Sequence, residues 1–269
     1  MSAKVSIIMG VYNGEKTIAT AIESILSQTY NDWVFIICDD GSTDGTKKIL
    51  EKYGEEYPQK FIIIRNQTNI RLAATLNRCL EYVGTEYTAR MDADDRAFPD
   101  RFEKQVRFLE NNELYSVVGA GMMTFDETGI TGTRIGKEFP QKKDLLYGVP
   151  HMHPTIMIRS DVLKKLGGYS TRKINVRCED LELWYKFYGK GYVGYNLQEP
   201  LLYYREGIQD FKRRKFTDGV NISRTMVEGY QLLDFPKRYY PVSLKPIISS
   251  IVPRKMLKRY HQAKDKGVI

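Results

Sequence analysis

Three aspartates within four residues, Asp92-Ala93-Asp94-Asp95, follow directly on a strand-like run, Tyr87–Met91. Asp92 and Asp94 lie two apart, so at a strand end their side chains project to the same side. Paired carboxylates suit a hard divalent cation, and Mg2+ or Mn2+ commonly bridges such carboxylates to a diphosphate. Three acids closing a buried strand would repel one another without a counter-ion. A second pair, Asp39-Asp40, closes another apolar run and leads into Gly41-Ser42-Thr43-Asp44. A third, Glu179-Asp180, opens a segment with Leu181, Trp184, Tyr185 and Tyr188 at helical spacing, where an acid would cap the helix. His151 and His153 stand at a spacing that would allow metal ligation.

These residues need a frame to bring them together, and the chain supplies a regular one. Strand-like runs at Val5–Met9, Val34–Cys38, Phe61–Ile64 and Tyr87–Met91 alternate with helical patterns near Thr17–Gln28, Thr46–Tyr53 and Leu72–Tyr82. Apolar strands spaced by helices predict an α/β, doubly wound, mostly parallel sheet covered by helices on both faces. Pro99–Asn111 reads as a further helix and Ser116–Met123 as a further strand. Ser42-Thr43-Asp44 and Asp100 mark helix starts. The middle, about residues 124–177, is richer in Gly and Thr; a helix at Asp180–Tyr188 and short strands at Tyr192–Leu197 and Leu201–Tyr204 close the body. Ligands of an open parallel sheet bind beyond the carboxyl ends of its strands. Gly10-Val11-Tyr12-Asn13-Gly14, the Asp39 turn and the Asp92 cluster are therefore expected to converge on one edge. No GxGxxG follows the first strand and no GxxxxGK[ST] occurs anywhere, so this edge must hold phosphates another way.

The net charge of +8 is local. Residues 237–269 contain nine Lys or Arg and one acid, Asp265, so residues 1–236 balance at 32 basic and 32 acidic residues. The body shows no bias toward nucleic acid. The tail mixes apolar and cationic residues in Leu244–Val252 and Arg254–Tyr260, a pattern that can lie on an anionic membrane surface; packing on the body or a homodimer contact is the alternative. Cys38, Cys79 and Cys178 are widely spaced with no CxxC pair, as expected of reduced cysteines in the cytoplasm. No basic-then-apolar leader and no membrane-spanning run is present, so the expectation is a cytoplasmic protein, peripheral on the inner face of the cell membrane if the tail binds lipid.

Taken in order, Val5-Ser-Ile-Ile-Met-Gly-Val-Tyr-Asn13, Asp39-Asp-Gly-Ser-Thr-Asp44, Ala89-Arg-Met-Asp-Ala-Asp-Asp95, Pro99-Asp-Arg-Phe102 and Glu179-Asp180 resemble the successive signatures of the family-2 glycosyltransferases, from about Lys4 to Arg205. The resemblance implies a GT-A fold, an inverting transfer, a nucleotide-diphosphate-sugar donor (UDP-linked by default) and Mn2+ or Mg2+. It implies that Gly10, Val11, Tyr12, Asn13, Asp39, Asp40, Arg71, Asp92 and Ala93 bind the nucleotide sugar, with Tyr12 near the base. Asp94 and Asp92 would hold the metal and Asp180 would act as general base. Asp95, His153, Glu179 and Trp184 would line the sugar or the acceptor, a saccharide or lipid-linked saccharide of a surface polysaccharide pathway. Residues 1–209 would form the catalytic domain, 1–115 its nucleotide half and 116–209 its acceptor half, with 210–269 a basic amphipathic helical extension. Relatives commonly follow their Tyr-Arg with a metal-binding histidine; here the chain reads Tyr204-Arg205-Glu206-Gly207, leaving water or Glu206 as the substitute.

Two other readings compete. A sugar-phosphate nucleotidyltransferase would need a basic, Gly-rich loop after the first strand, and Gly10–Gly14 contains no basic residue. A non-catalytic nucleotide-sugar-binding or scaffold protein would be natural had the acids been replaced, but Asp92, Asp94 and Asp180 are all present.

Overall fold

Period-two burial along the strands builds two cores rather than one. In β1 (Val5–Val11), Val5, Ile7, Met9 and Val11 enter one hydrophobic cluster and Ile8 enters the other. In β2 (Trp33–Asp39), Phe35 and Ile37 take the first side and Ile36 and Cys38 the second. Strands buried on both faces require helices on both, and the chain provides them. On the first side lie α1 (Ile18–Leu26), α2 (Thr46–Glu56) and, after β3 (Phe61–Arg65), α3 (Leu72–Leu80), β4 (Tyr87–Arg90) and β5 (Arg96–Ala97), α4 (Arg101–Asn111); α3 itself packs on the second side. Helix α1 shows how sequence dictates this: Ile18, Ala21, Ile22 and Ile25 are all buried at i, i+3, i+4 and i+7.

This is a computed structural model, and it describes residues 3–206 and 215–251. The described strands form one nine-stranded sheet in the order β3-β2-β1-β4-β8-β6-β9-β5, with β7 (Gly129–Arg134) paired to β6 (Val117–Asp126). The β3-β2-β1-β4 portion is parallel, as expected. The sheet then continues through β8 (Met157–Arg159), antiparallel to both β4 and β6, and through β9 (Gly194–Arg205), parallel to β6 and antiparallel to β5. Where two short strands were expected, β9 runs unbroken. Pro200 has no N–H to give the ladder, and the register against β6 shifts around Gly121 instead of ending.

On the second side, α3 is joined by α5 (Ser160–Lys165), α6 (Glu179–Gly189) and α7 (Phe216–Leu232). Helix α7 shares its core with α6: Tyr230 is fully buried and donates to the Leu146 carbonyl at 3.0 Å. Two glycines let helices approach closely along α7. A Cβ at Gly229 would fall 2.3 Å from the Tyr185 ring on α6, and one at Gly219 would fall 2.8 Å from the Pro246 carbonyl on α8 (Lys245–Ile251). The basic segment Arg254–Tyr260 lies outside the described residues. No helix among the described residues is long and apolar enough to cross a membrane.

Candidate active site

The three polar strand ends meet at one edge, and the two loops after β1 and β2 are stitched together. Asn13, at φ 53°, accepts from the Thr43 N–H at 2.9 Å and donates its own N–H to Ser42 Oγ at 2.9 Å. The Gly14 N–H reaches Thr46 Oγ1 at 2.9 Å, while the Glu15 carboxylate accepts from Gly45 N–H at 3.0 Å. Gly41, at φ +74°, is required by closeness as well as conformation, since a Cβ there would sit 2.9 Å from the Thr68 carbonyl carbon. The Asp92 loop joins this group through Ala93, whose Cβ would lie 3.9 Å from one placed on Gly14. Tyr12 stands half exposed above the junction, as a stacking platform must. Gly10 and Val11 contribute backbone only, with the Val11 carbonyl accepting from Asp40 N–H at 2.7 Å.

Asp39 and Asp40 divide their roles. Asp39 Oδ1 accepts from Ser42 N–H at 2.8 Å, while its buried Oδ2 has no hydrogen-bond partner and lies 3.5 Å from Arg65 Nε. Asp40 is committed to the polypeptide: Oδ1 accepts from Asn66 Nδ2 and Ile70 N–H, both at 2.8 Å, and Oδ2 from Arg71 N–H at 2.9 Å. It shapes the loop that leads into α3, and the expectation that it contacts the nucleotide is corrected on that ground. Arg71, at φ 75°, is the last residue before α3.

Below the edge is a cavity of about 190 Å3, lined by Leu72, Leu76, Arg90, Asp92, His153, Pro154, Arg177, Glu179, Asp180 and Tyr204. Asp92 and Asp180, 88 positions apart in sequence, thus face the same space. Arg90 is nearly buried and forms an ion pair with Asp92. Burial opposes the charge on Arg90, yet Asp92 outweighs it and holds the guanidinium above its ordinary range. Arg101, from the Pro99–Phe102 signature, is fully buried beneath the loop and donates to the Arg90 carbonyl at 2.8 Å. Its pKa is pushed down to about 9 by burial, against the pull of Asp95, so it remains a cation at neutral pH. The repulsion inferred for the acidic cluster is therefore relieved in part by two arginines of the protein itself.

Asp180 does not cap its helix. The cap position is Cys178, and Asp180 sits in the first turn with Oδ1 accepting from Leu181 N–H at 2.7 Å. Burial raises its pKa against the lowering effects of that bond and of Arg90. Burial and the adjacent Asp180 raise Glu179 as well. His153 lines the cavity with Nε2 3.0 Å from the Tyr169 hydroxyl, and burial keeps it neutral. Tyr169 is fixed by Asn77, which donates to its carbonyl and accepts from its N–H, each at 2.8 Å.

Three expectations are corrected. Trp184 does not line the site: it is fully buried on the core face of α6, 5.7 Å from the His153 ring and 4.7 Å from the His151 ring. Asp95 is buried too, and braces the loop by accepting from the Arg205 N–H at 2.9 Å; burial, then Asp92 and Asp94, raise its pKa well above the carboxylate range. Glu206 is engaged in a two-bond pair with Arg134 at 2.7 and 3.2 Å. His151 is likewise not a ligand, since its ring nitrogens are taken by Asn196 at 2.7 Å and Tyr188 at 3.0 Å.

No three His, Cys, Asp or Glu side chains among the described residues converge on one point. Asp94 is exposed and Asp92 half-buried. Two carboxylates at the lip of the cavity suit a hard cation that keeps waters and takes phosphate oxygens from its ligand. Sequence reasoning missed Arg90, Arg177 and Tyr204 as cavity residues; Arg90 stood inside a quoted signature, and the other two carried no signal of their own.

Residues 6–167 match the family model described as Glycosyl transferase family 2. Among curated relatives, the chain is 45% identical to "Putative glycosyltransferase EpsE" of Bacillus subtilis, covering 96% of this chain and 93% of that one. It is 28% identical to "UDP-Glc:alpha-D-GlcNAc-diphosphoundecaprenol beta-1,3-glucosyltransferase WfaP" of Escherichia coli, over 82% and 85% of the two chains. Among solved structures, S. aureus TarS in complex with UDP-GlcNAc superposes at TM-score 0.71 with 20% identity, covering 91% of this chain and 71% of that one. The mannosyltransferase PcManGT of Pyrobaculum calidifontis, in complex with GDP-Man and Mn2+, gives 0.63 with 17% identity, over 98% and 80%. These two share the fold, which is the GT-A arrangement expected from the sequence signatures.

Proposed function

This chain belongs to glycosyl transferase family 2, and on that premise we propose that it moves a sugar from a UDP-linked donor to a hydroxyl of a lipid-linked saccharide, with inversion at the anomeric carbon. The observation that carries this reading is the shared cavity, which sets a buried carboxylate with a raised pKa, Asp180, across from the Arg90–Asp92 pair.

Each residue has a separable task. The stitched loops after β1 and β2 offer Tyr12 as a platform for the base and the unpartnered Asp39 Oδ2 as an acceptor for a base or ribose donor. Asp94, with Asp92, would hold Mg2+ or Mn2+, which when bound neutralises charge developing on the diphosphate leaving group. Asp180 takes the proton of the attacking hydroxyl; a carboxylate lifted toward neutrality is the stronger base. Neutral His153 and the Tyr204 hydroxyl offer hydrogen bonds to sugar hydroxyls without adding charge. A single displacement passes through an oxocarbenium-like state, and one base with no second nucleophilic carboxylate suits inversion.

The acceptor class draws support from the name of WfaP, and the C-terminal surface agrees with it. Leu244, Ile248 and Ile251 are 50%, 61% and 70% exposed along one edge of α8, continuous in sequence with the basic residues up to Lys266. An apolar edge with adjoining cations fits the anionic inner face of a membrane.

The reading is tested by thermal shift of the full chain with UDP-glucose, UDP-GlcNAc and GDP-mannose, each with and without Mn2+. Ligand at 100 times its Kd adds about 2.7 kcal/mol. A UDP-sugar is expected to raise Tm only with the cation, and Asp94→Ala to abolish the rise. Stabilisation by nucleoside triphosphates and not by any nucleotide sugar would overturn the proposal in favour of nucleotidyl transfer.

A further inference from the structure

A second and larger cavity, about 500 Å3, adjoins the catalytic one and shares Leu72, Arg177 and Glu179 with it. Its volume is that of a ligand site. Neither Tyr12, Asp39, Asp92 nor Asp94 lines it, so it opens on the base side of the catalytic pocket, away from the nucleotide loops. Resting on the glycosyltransferase reading above, we propose that this cavity holds the diphosphate and first isoprenoid units of a lipid-linked acceptor, gripped by Arg71 and Arg177.

The lining explains the choice of ligand. Ile70, Leu72 and Val176 give an apolar wall, and Ile70 is 41% exposed. Two guanidinium groups enter from opposite elements, Arg71 from the start of α3 and Arg177 from the segment before α6. A guanidinium fork matches phosphate oxygens with paired N–H donors. Both arginines have positive φ, 75° and 69°, a conformation that residues other than glycine seldom adopt. Each is secured: the Arg71 N–H is bound by Asp40 and Asn69, and the Arg177 guanidinium lies 3.8 Å from Asp218 of α7. Apolar wall and paired cations together call for an amphiphile with a phosphate head, which excludes a neutral saccharide as the sole occupant.

Glu179 sets the register. It lines both cavities and is followed directly by Asp180. A carboxylate on the border repels a diphosphate and admits an uncharged sugar. The phosphates thus stay with the arginines while the sugar they carry passes Glu179 to reach the base. The donor diphosphate, by contrast, belongs beside Asp92 and Asp94. One enzyme would then keep two diphosphates in two places, one beside a metal and one between arginines.

The test uses farnesyl diphosphate as a short probe, titrated into the full chain with UDP and excess Mg2+ held at saturation, beside titrations with farnesol and with inorganic pyrophosphate. The expected result is binding of farnesyl diphosphate with UDP already in place, and at least tenfold weaker binding of either part alone. Arg177→Ala should weaken the probe tenfold or more, Arg177→Lys less, and Val176→Asp comparably to Arg177→Ala, while UDP affinity stays within twofold. Displacement of the probe by UDP, or an unchanged affinity in Arg177→Ala, overturns the proposal while leaving the donor reading intact. Failure of UDP and Mg2+ to bind at all would sink both.

Discussion

Replacing Asp180 by Asn separates chemistry from architecture. The one printed bond of the carboxylate is from the Leu181 N–H to Oδ1, at 2.7 Å. An asparagine oxygen can accept the same bond, so the start of α6 and the walls of the cavity survive. What disappears is the proton acceptor. General base catalysis contributes about 10²–10⁴-fold, or roughly 2.7–5.5 kcal/mol of barrier at 1.36 kcal/mol per decade. The assay is UDP release in the presence of acceptor, paired with a direct titration of UDP. The expected result is a kcat/KM lowered by two to four decades with UDP affinity unchanged within twofold. The pH profile adds a second handle. Burial raises the Asp180 pKa above its ordinary 3.8, so the acid limb of the wild-type rate should lie above that pH, and the residual rate of the variant should lack it. Stability follows the opposite sign. A carboxylate whose folded pKa is raised penalises the folded state once pH exceeds that pKa, and the penalty vanishes below the unfolded value near 3.8. Asp180→Asn should therefore melt higher than wild type at neutral pH, with the gain disappearing in acid. A rate within threefold of wild type, or a loss of UDP affinity as large as the loss of rate, would refute the assignment.

Asp40→Ala removes an acceptor of three hydrogen bonds and orphans the Ile70 and Arg71 N–H groups. At about 1–3 kcal/mol for each group left unsatisfied and roughly 2–4 °C per kcal/mol for a chain of this size, Tm by calorimetry should fall by about 5–15 °C; a fall under 2 °C would show that the loop holds its shape without the carboxylate. Ile248→Glu with Ile251→Glu, both on the exposed edge of α8, should abolish co-sedimentation with vesicles containing phosphatidylglycerol and leave Tm within 2 °C; undiminished vesicle binding would move the contact elsewhere.

Much of the scaffold was legible because each signal was local. The alternation of Val5–Val11 and the 3.6-residue spacing of Ile18–Ile25 state their partners in the sequence itself. The parallel half of the sheet followed from them, as did the meeting of three strand ends. The antiparallel joins did not, because β8 has three residues and β5 two, too few to show a period. The site divides in the same way. Asp92, Asp180, His153 and Glu179 could be picked out by type and order, and the fold places them around one cavity. Trp184 and Asp95 misled because spacing reports which helix or loop a residue occupies, not which side faces solvent. Arg90 and Arg101 were passed over for a related reason. A buried arginine declares itself only when its carboxylate or carbonyl partners are known, and those partners come from other segments.

The closeness of α7 to its neighbours on either side bears on reach. With glycine at both contact points, Gly229 against Tyr185 and Gly219 against Pro246, the helices from α6 to α8 stack without slack. Packed helices lie about 8–10 Å apart, so the axis bearing Asp180 stands roughly 16–20 Å from that of α8 at most. Such a stack works as a gauge block. If α8 rests on a bilayer, the height of the base above the lipid is set by helix diameters and not by a tether. Acceptors would then be sorted by stature, since a sugar must stand far enough from its lipid carrier, and no farther, to meet Asp180.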